Sequence, residues 1–167
     1  MTSSAHNKKT LLAGGCFWCI EAAVRNIPGV VEVFSGYADR ADMPERREVV
    51  EIEYNPTKIS FEQLIRAGFR LFDPTDGGGQ FHDRGYGYTT AVYYQDEEEK
   101  KILEAIVLSL NNSGTYDSPI VTSIEVMPPF DPAPEYHQKY KEKNPDHYKG
   151  YYRASGREAY VEGMKEK

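Results

Sequence analysis

Leu11-Leu12-Ala13-Gly14-Gly15-Cys16-Phe17-Trp18-Cys19-Ile20-Glu21 decides how this chain is organised, because the hydrophobic period changes at its paired glycines. Leu11-Leu12-Ala13 is a short unbroken apolar run, the pattern of a buried strand, and Gly14-Gly15 marks a turn. Beyond the turn, Phe17, Ile20, Val24 and Ile27 recur at helical spacing until Pro28-Gly29 stops the helix. Cys16 is thereby expected in the first turn, where unpaired amides and the positive end of the helix dipole favour an anion. A thiol in that position can fall well below its free pKa of about 8.5. Cys19 follows one turn later, within reach of whatever forms on Cys16.

Outward from this stretch the pattern alternates between strand and helix. Val31-Glu32-Val33 and Val50-Glu51-Ile52-Glu53-Tyr54 read as half-buried strands, the second ending at Asn55-Pro56. Ser60 and Gln63 form a capping box for a helix that buries Phe61, Leu64, Ile65 and Gly68. Residues 75–87, with five glycines, read as a long loop, and a strand is expected over residues 88–94. Asp96 and Glu99 cap the next helix, which carries Ile102, Leu103, Ile106 and Leu110 inward. Ile120, Thr122, Ile124 and Val126 alternate as a last strand, and a proline-rich stretch leads to a short helix near residues 135–143. The order implies an α+β fold: a two-layer sandwich of helices on a mixed sheet, of the ferredoxin-like split βαβ type. One domain over residues 1–167 is expected, with residues 1–9 disordered and a long irregular C-terminal segment over residues 148–167.

The 167 residues suffice for a hydrophobic core without a disulfide or metal staple. A net charge of −6 excludes a nucleic-acid partner that works by displacing counterions, and no apolar run is long enough for a membrane span. The polar N-terminus lacks the apolar segment of a signal peptide, so a cytoplasmic location is expected. Thiols stay reduced there, and two cysteines three residues apart can staple almost nothing. They point to chemistry. On these residues alone the alternatives remain a general thiol–disulfide oxidoreductase, or a redox-sensing or zinc-binding module completed by His82 or His137.

The flanking residues go further. Gly14-Gly15-Cys16-Phe17-Trp18-Cys19-Ile20-Glu21 resembles the signature of the peptide methionine sulfoxide reductase A family. Pro28-Gly29-Val30, Gly36-Tyr37, Glu48-Val49-Val50, Asp73-Pro74-Thr75, the set Asp83, Gly85 and Tyr88, and Tyr136-His137-Gln138-Lys139-Tyr140 before Lys143-Asn144-Pro145 follow the same family pattern. The resemblance implies reduction of the S-epimer of methionine sulfoxide, free or in proteins, with no cofactor and no metal. Cys16 is then the nucleophile and Glu48 the proton donor, with Tyr88 and Asp83 completing the polar side. Phe17, Trp18, Tyr136 and Tyr140 would hold substrate. Many relatives keep a resolving cysteine in the C-terminal tail; none is present here. The resemblance therefore leaves Cys19 to close a disulfide with Cys16, reopened by thioredoxin or a similar dithiol reductant. The pattern departs from the family between Ala38 and Arg47, where a longer loop with a substrate-contacting tyrosine is usual. Arg46-Arg47 also precede Glu48, and a neighbouring guanidinium is expected to pull its carboxyl pKa down.

Overall fold

Strand β1 (Lys8–Gly14) runs through the centre of the molecule because Leu11, Leu12 and Ala13 are buried on both faces of the sheet. The structure, a computed structural model, describes residues 6–39 and 42–167. Helix α1 (Phe17–Val24) follows the glycine turn, then β2 (Val30–Ala38), β3 (Arg47–Tyr54) and α2 (Phe61–Phe69). A two-residue hairpin of β4 (Gly79–Gln80) and β5 (Asp83–Arg84) leads through a 3-10 turn at Tyr86–Tyr88 to β6 (Thr90–Tyr94). The long α3 (Glu97–Asn111), β7 (Ser123–Val126) and β8 (Phe130–Pro132) come next. A 3-10 turn at Glu135–His137 precedes α4 (Tyr140–Lys143), α5 (Pro145–Ala154) and α6 (Arg157–Met164).

The sheet is mixed, in the order β7-β6-β1-β3-β2-β8, with β6 and β7 parallel and the other neighbours antiparallel. Strands β1 and β2, joined by α1, flank β3 and are antiparallel to it. Its main core lies on the helical side, where Leu12, Val50, Ile52 and Val92 meet Ile20 and Val24 of α1, Leu64 and Ile65 of α2, and Leu103 and Ile106 of α3. Leu11, Ala13, Val49 and Tyr93 form a smaller cluster on the opposite face. The capping box is present as the sequence requires, with Ser60 Oγ accepting from the Gln63 amide at 3.0 Å. Asp96 accepts from the Glu99 amide at 2.8 Å.

Four expectations change. Lys8 and Lys9, assigned to a disordered terminus, pair with Tyr54 and Glu53 in β1, while residues 1–5 lie outside the described residues. Tyr88 sits in a 3-10 turn rather than in β6. The last strand begins at Ser123, leaves Val126 65% exposed, and is followed by β8, which extends the far edge of the sheet. The C-terminal segment is not irregular: α5 starts with Pro145 at a helix N-terminus, and Tyr148, Ser155, Arg157 and Met164 are buried. Its inward face is built from tyrosines, a serine and an arginine, so an apolar pattern does not reveal it.

Candidate active site

The glycine turn positions everything that follows. Gly15 has φ +91°, and a Cβ there would stand 2.7 Å from Gln80 Cβ and 2.8 Å from Arg157 Nη2. At Gly14 a Cβ would meet Ile20 at 2.6 Å. The pair therefore clears space for neighbouring side chains as the chain turns into α1. Cys16 is the residue that caps α1, one position before the first helical residue, Phe17.

Glu48 reaches that helix end from the sheet. In β3 it shares a face with Val50 and Ile52, which line the helical side. Its Oε1 accepts from the Phe17 amide at 3.1 Å, so the first free N–H of α1 goes to the carboxyl. Burial, with Cys16 and Asp83 nearby, raises its pKa to about 8 against the opposing Phe17 and Tyr88 hydrogen bonds. The two arginines before it do not pull the value down, contrary to expectation. Arg47 turns to the opposite face of the sheet, where it pairs with Glu125 at 2.9 Å and donates to Tyr93 at 3.1 Å. Arg46 turns to Asp39 at 2.7 Å and to Asp131. Tyr88, its own pKa lifted to about 12 by burial and Glu48, keeps its proton and hydrogen-bonds the carboxyl.

Tyr37 joins this group and was legible only as part of a motif. It is the direct cross-strand partner of Glu48, so both side chains leave the same face of the sheet. Its ring lies 5.6 Å from Phe17 with the Arg46 guanidinium 4.5 Å from its centroid. Burial and Glu48 hold its hydroxyl protonated. Only the register of β2 on β3 identifies it.

Cys16 and Cys19 are free thiols, 5% and 2% exposed. They cluster with Tyr148, Tyr151 and Tyr152 of α5, apart from the main core, so the C-terminal helices form the roof of the site. Tyr151 donates to Asp83 with its hydroxyl beside Cys16, and the Tyr148 hydroxyl lies beside Cys19. The lowered Cys16 pKa expected at a helix start is not found in this arrangement. Its hydrogen bond to Cys19 and its burial raise the thiol well above its ordinary value. The same bond lowers Cys19, helped by Arg157 and Tyr148. Of the pair, Cys19 is therefore the thiol that ionises more readily. Cys19 also stands at the wall of a groove of about 920 Å³ bordered by Trp18, Glu21, Lys139, Tyr148 and Tyr152.

The aromatic residues divide by depth. Phe17 is 2% exposed, packed between Tyr37 and His137. Trp18 is half-buried and stacks on Tyr140 at 3.8 Å between centroids, while its indole N–H donates to His137 Nδ1 at 3.0 Å. Tyr136 is 65% exposed against the His137 ring. This segment is held by two buried polar side chains. Glu21 of α1 accepts from the Lys139 amide at 3.0 Å, and Gln138 bridges the backbone of Ser35 and Ala133. Both occur in the quoted motifs; their anchoring role is visible only with the chain folded.

The fold and the site together bring a buried thiol pair, a carboxyl of raised pKa and an aromatic cluster to one helix N-terminus, the arrangement of an enzyme. A family model described as peptide methionine sulfoxide reductase matches residues 8–167. Peptide methionine sulfoxide reductase MsrA 2 of Staphylococcus aureus (strain MW2) is 41% identical over 162 residues, spanning 90% of this chain and 92% of the relative. Among solved structures, Mxr1 from Saccharomyces cerevisiae in reduced form gives a TM-score of 0.76 at 30% identity, over 87% of this chain and 90% of that one. The same yeast protein in complex with Trx2 gives 0.62 at 27% identity, over 84% and 88% of the two chains. The chain belongs to the peptide methionine sulfoxide reductase family.

Proposed function

We propose that this protein reduces methionine S-sulfoxide, free or in proteins, to methionine, with Cys16 as nucleophile and Glu48 as proton donor. The observation that carries the reading is a carboxyl with pKa raised to about 8, hydrogen-bonded to the first amide of α1 beside a buried cysteine pair. A sulfoxide has an electrophilic sulfur and a basic oxygen. It therefore needs a soft nucleophile on one atom and a proton on the other. Cys16 sulfur attacks the sulfoxide sulfur as its own proton passes to the Cys19 thiolate, and Glu48 protonates the departing oxygen. The S–O bond breaks, the released hydroxide attacks the Cys16 sulfur and displaces methionine as the S–S bond to it breaks, and Cys16 is left as a sulfenic acid. Tyr88, Tyr37 and Asp83 complete the polar side, and Trp18 with Tyr140 and Tyr136 offers aromatic surface at the rim above Phe17.

Cys19, once deprotonated, attacks Cys16 sulfur and releases water, closing a Cys16–Cys19 disulfide. A thioredoxin-like dithiol then reopens it, a role supported by the Trx2 complex of the yeast relative. A cytoplasmic location fits a reaction that consumes such a reductant. The finer fold description we propose is the ferredoxin-like split βαβ pattern, supported by β3 lying between β1 and β2. Incubation with dabsyl methionine sulfoxide and dithiothreitol tests the function. The native protein is expected to yield the thioether from the S-epimer only, and Cys16→Ser none; full activity in Cys16→Ser ends the reading.

A further inference from the structure

Arg47 is buried on the face of the sheet away from Glu48, and the reaction described above does not use it. A buried guanidinium persists only where its charge and its donors are met. Two of its contacts are anchors in the sheet: Glu125 of β7 at 2.9 Å and the Tyr93 hydroxyl of β6 at 3.1 Å. Two others fall on the 3-10 turn that carries Tyr88. Arg47 Nε donates to Thr89 Oγ1 at 3.1 Å, and the guanidinium stands 4.7 Å from the Tyr86 ring centroid. Thr89 Oγ1 in turn donates to the Tyr86 carbonyl at 2.7 Å and closes the turn from within. Strand β1 leaves β3 after the Leu12–Val50 pair, and the turn lies against the start of β3, where a Cβ on Gly87 would meet the Arg46 carbonyl oxygen at 3.1 Å. Tyr86 and Thr89 are thus held at Arg47, while Tyr88 between them sets its hydroxyl on Glu48.

We infer that Arg47 is a positioning residue for the proton donor: from one face of the sheet it clamps the Tyr86–Thr89 turn so that Tyr88 meets the Glu48 carboxyl on the other. For turnover the inference rests on the proposed role of Glu48. Strand geometry makes the arrangement possible, because neighbours along β3 point to opposite faces. One residue supplies the acid and the residue before it places the acid's hydroxyl partner. The planar fork matters here. Its Nε and Nη1 reach different partners at once while its flat side covers a ring, which a lysine ammonium cannot do. Cys16, Asp83 and Tyr37 also face the carboxyl, but they reach it from the α1 cap, β5 and β2. Tyr88 is the contact that comes from the clamped turn.

The test titrates Glu48 directly, by the side-chain carboxyl NMR signal of protein carrying isotope-labelled glutamate, in native and Tyr88→Phe backgrounds. Freeing the turn removes a hydrogen bond that favours the carboxylate. Arg47→Met is therefore expected to raise the Glu48 pKa by about half a unit or more and, as Tyr88 no longer holds the carboxyl, to lower kcat/KM by about 3–10-fold. In Tyr88→Phe protein the same substitution is expected to change neither. Equal shifts in the two backgrounds would mean that the guanidinium acts on Glu48 by charge and not through the turn, and would overturn the inference. An unchanged titration in a folded Arg47→Met protein overturns it as well. Should Arg47→Met fail to fold, Arg47→Lys decides, since it keeps the charge opposite Glu125 but has no fork to reach Thr89 too. A rise that vanishes in Tyr88→Phe then supports the clamp, and no rise refutes it. The titration reads the geometry whatever Glu48 does in turnover. Full activity in Glu48→Gln would remove the proton-donor reading and leave the clamp standing.

Discussion

Glu48 shows how position, and not residue type, makes an acid. A carboxylate at a strand end ordinarily stays in water and ionises near 4.5; here burial dominates and moves its pKa to about 8. Below that pH it carries the proton that a leaving sulfoxide oxygen requires. Glu48→Gln is expected to lower kcat/KM by about 10²–10³-fold, the usual loss on removing a general acid. The native pH–rate profile should fall as pH rises through about 8, and that alkaline limb should vanish from the Gln variant. A limb that survives the substitution would assign it to another group. Cys19→Ser is expected to release one methionine per enzyme, more slowly because the acceptor of the Cys16 proton is gone, and to fail in multiple turnover with thioredoxin. Glu48 and Cys19 were both legible as motif members. What sets their protonation, burial of the carboxyl and the neighbouring Cys16 thiol beside the sulfur, was not.

At the scale of elements, the β1–α1 turn bears the most consequence. Gly15 combines a positive φ with neighbours that leave no room for a side chain, Gln80 on one side and Arg157 on the other. Gly15→Ala is therefore expected to destabilise the protein by on the order of 2 kcal/mol. For a chain of this size that is a drop in melting temperature of about 4–8 °C. The turn, α1, α2 and α3 could all be read from periodicity and caps because those signals are local. The helices α5 and α6 could not. Tyr148, Tyr151, Tyr152 and Ser155 do recur at helical spacing, but a tyrosine pattern is equally at home on a wet surface. Only the cysteines and Gly14 waiting beneath them make that face an inner one.

The whole molecule carries a pH signature of its site. Glu48 keeps its proton to about pH 8 when folded and loses it near 4.5 when unfolded, so between those values the folded state binds one proton more. Its contribution to stability is full below about 4.5 and falls as pH rises to about 8. Glu48→Gln has no such penalty. Thermal melts of native and variant protein from pH 5 to 9 should therefore diverge in favour of the variant and level off above about 8. Parallel curves would mean that Glu48 is ionised in the folded protein across this range.

Local chemistry in the sequence determined much of the order of strands and helices, the helix caps and the glycine turn, since each depends on residues within a few positions of one another, while the pairing of Cys16 with Glu48 came from the family resemblance. Tertiary structure alone decided that Tyr37 stands opposite Glu48, that Arg46 and Arg47 turn away from it, and that α5 and α6 roof the thiols. These outcomes rest on pairings across as many as 143 positions, as between Arg157 and Gly14. Burial, which raises the pKa of Glu48, Tyr37 and Tyr88, exists only once such distant segments have closed over one another.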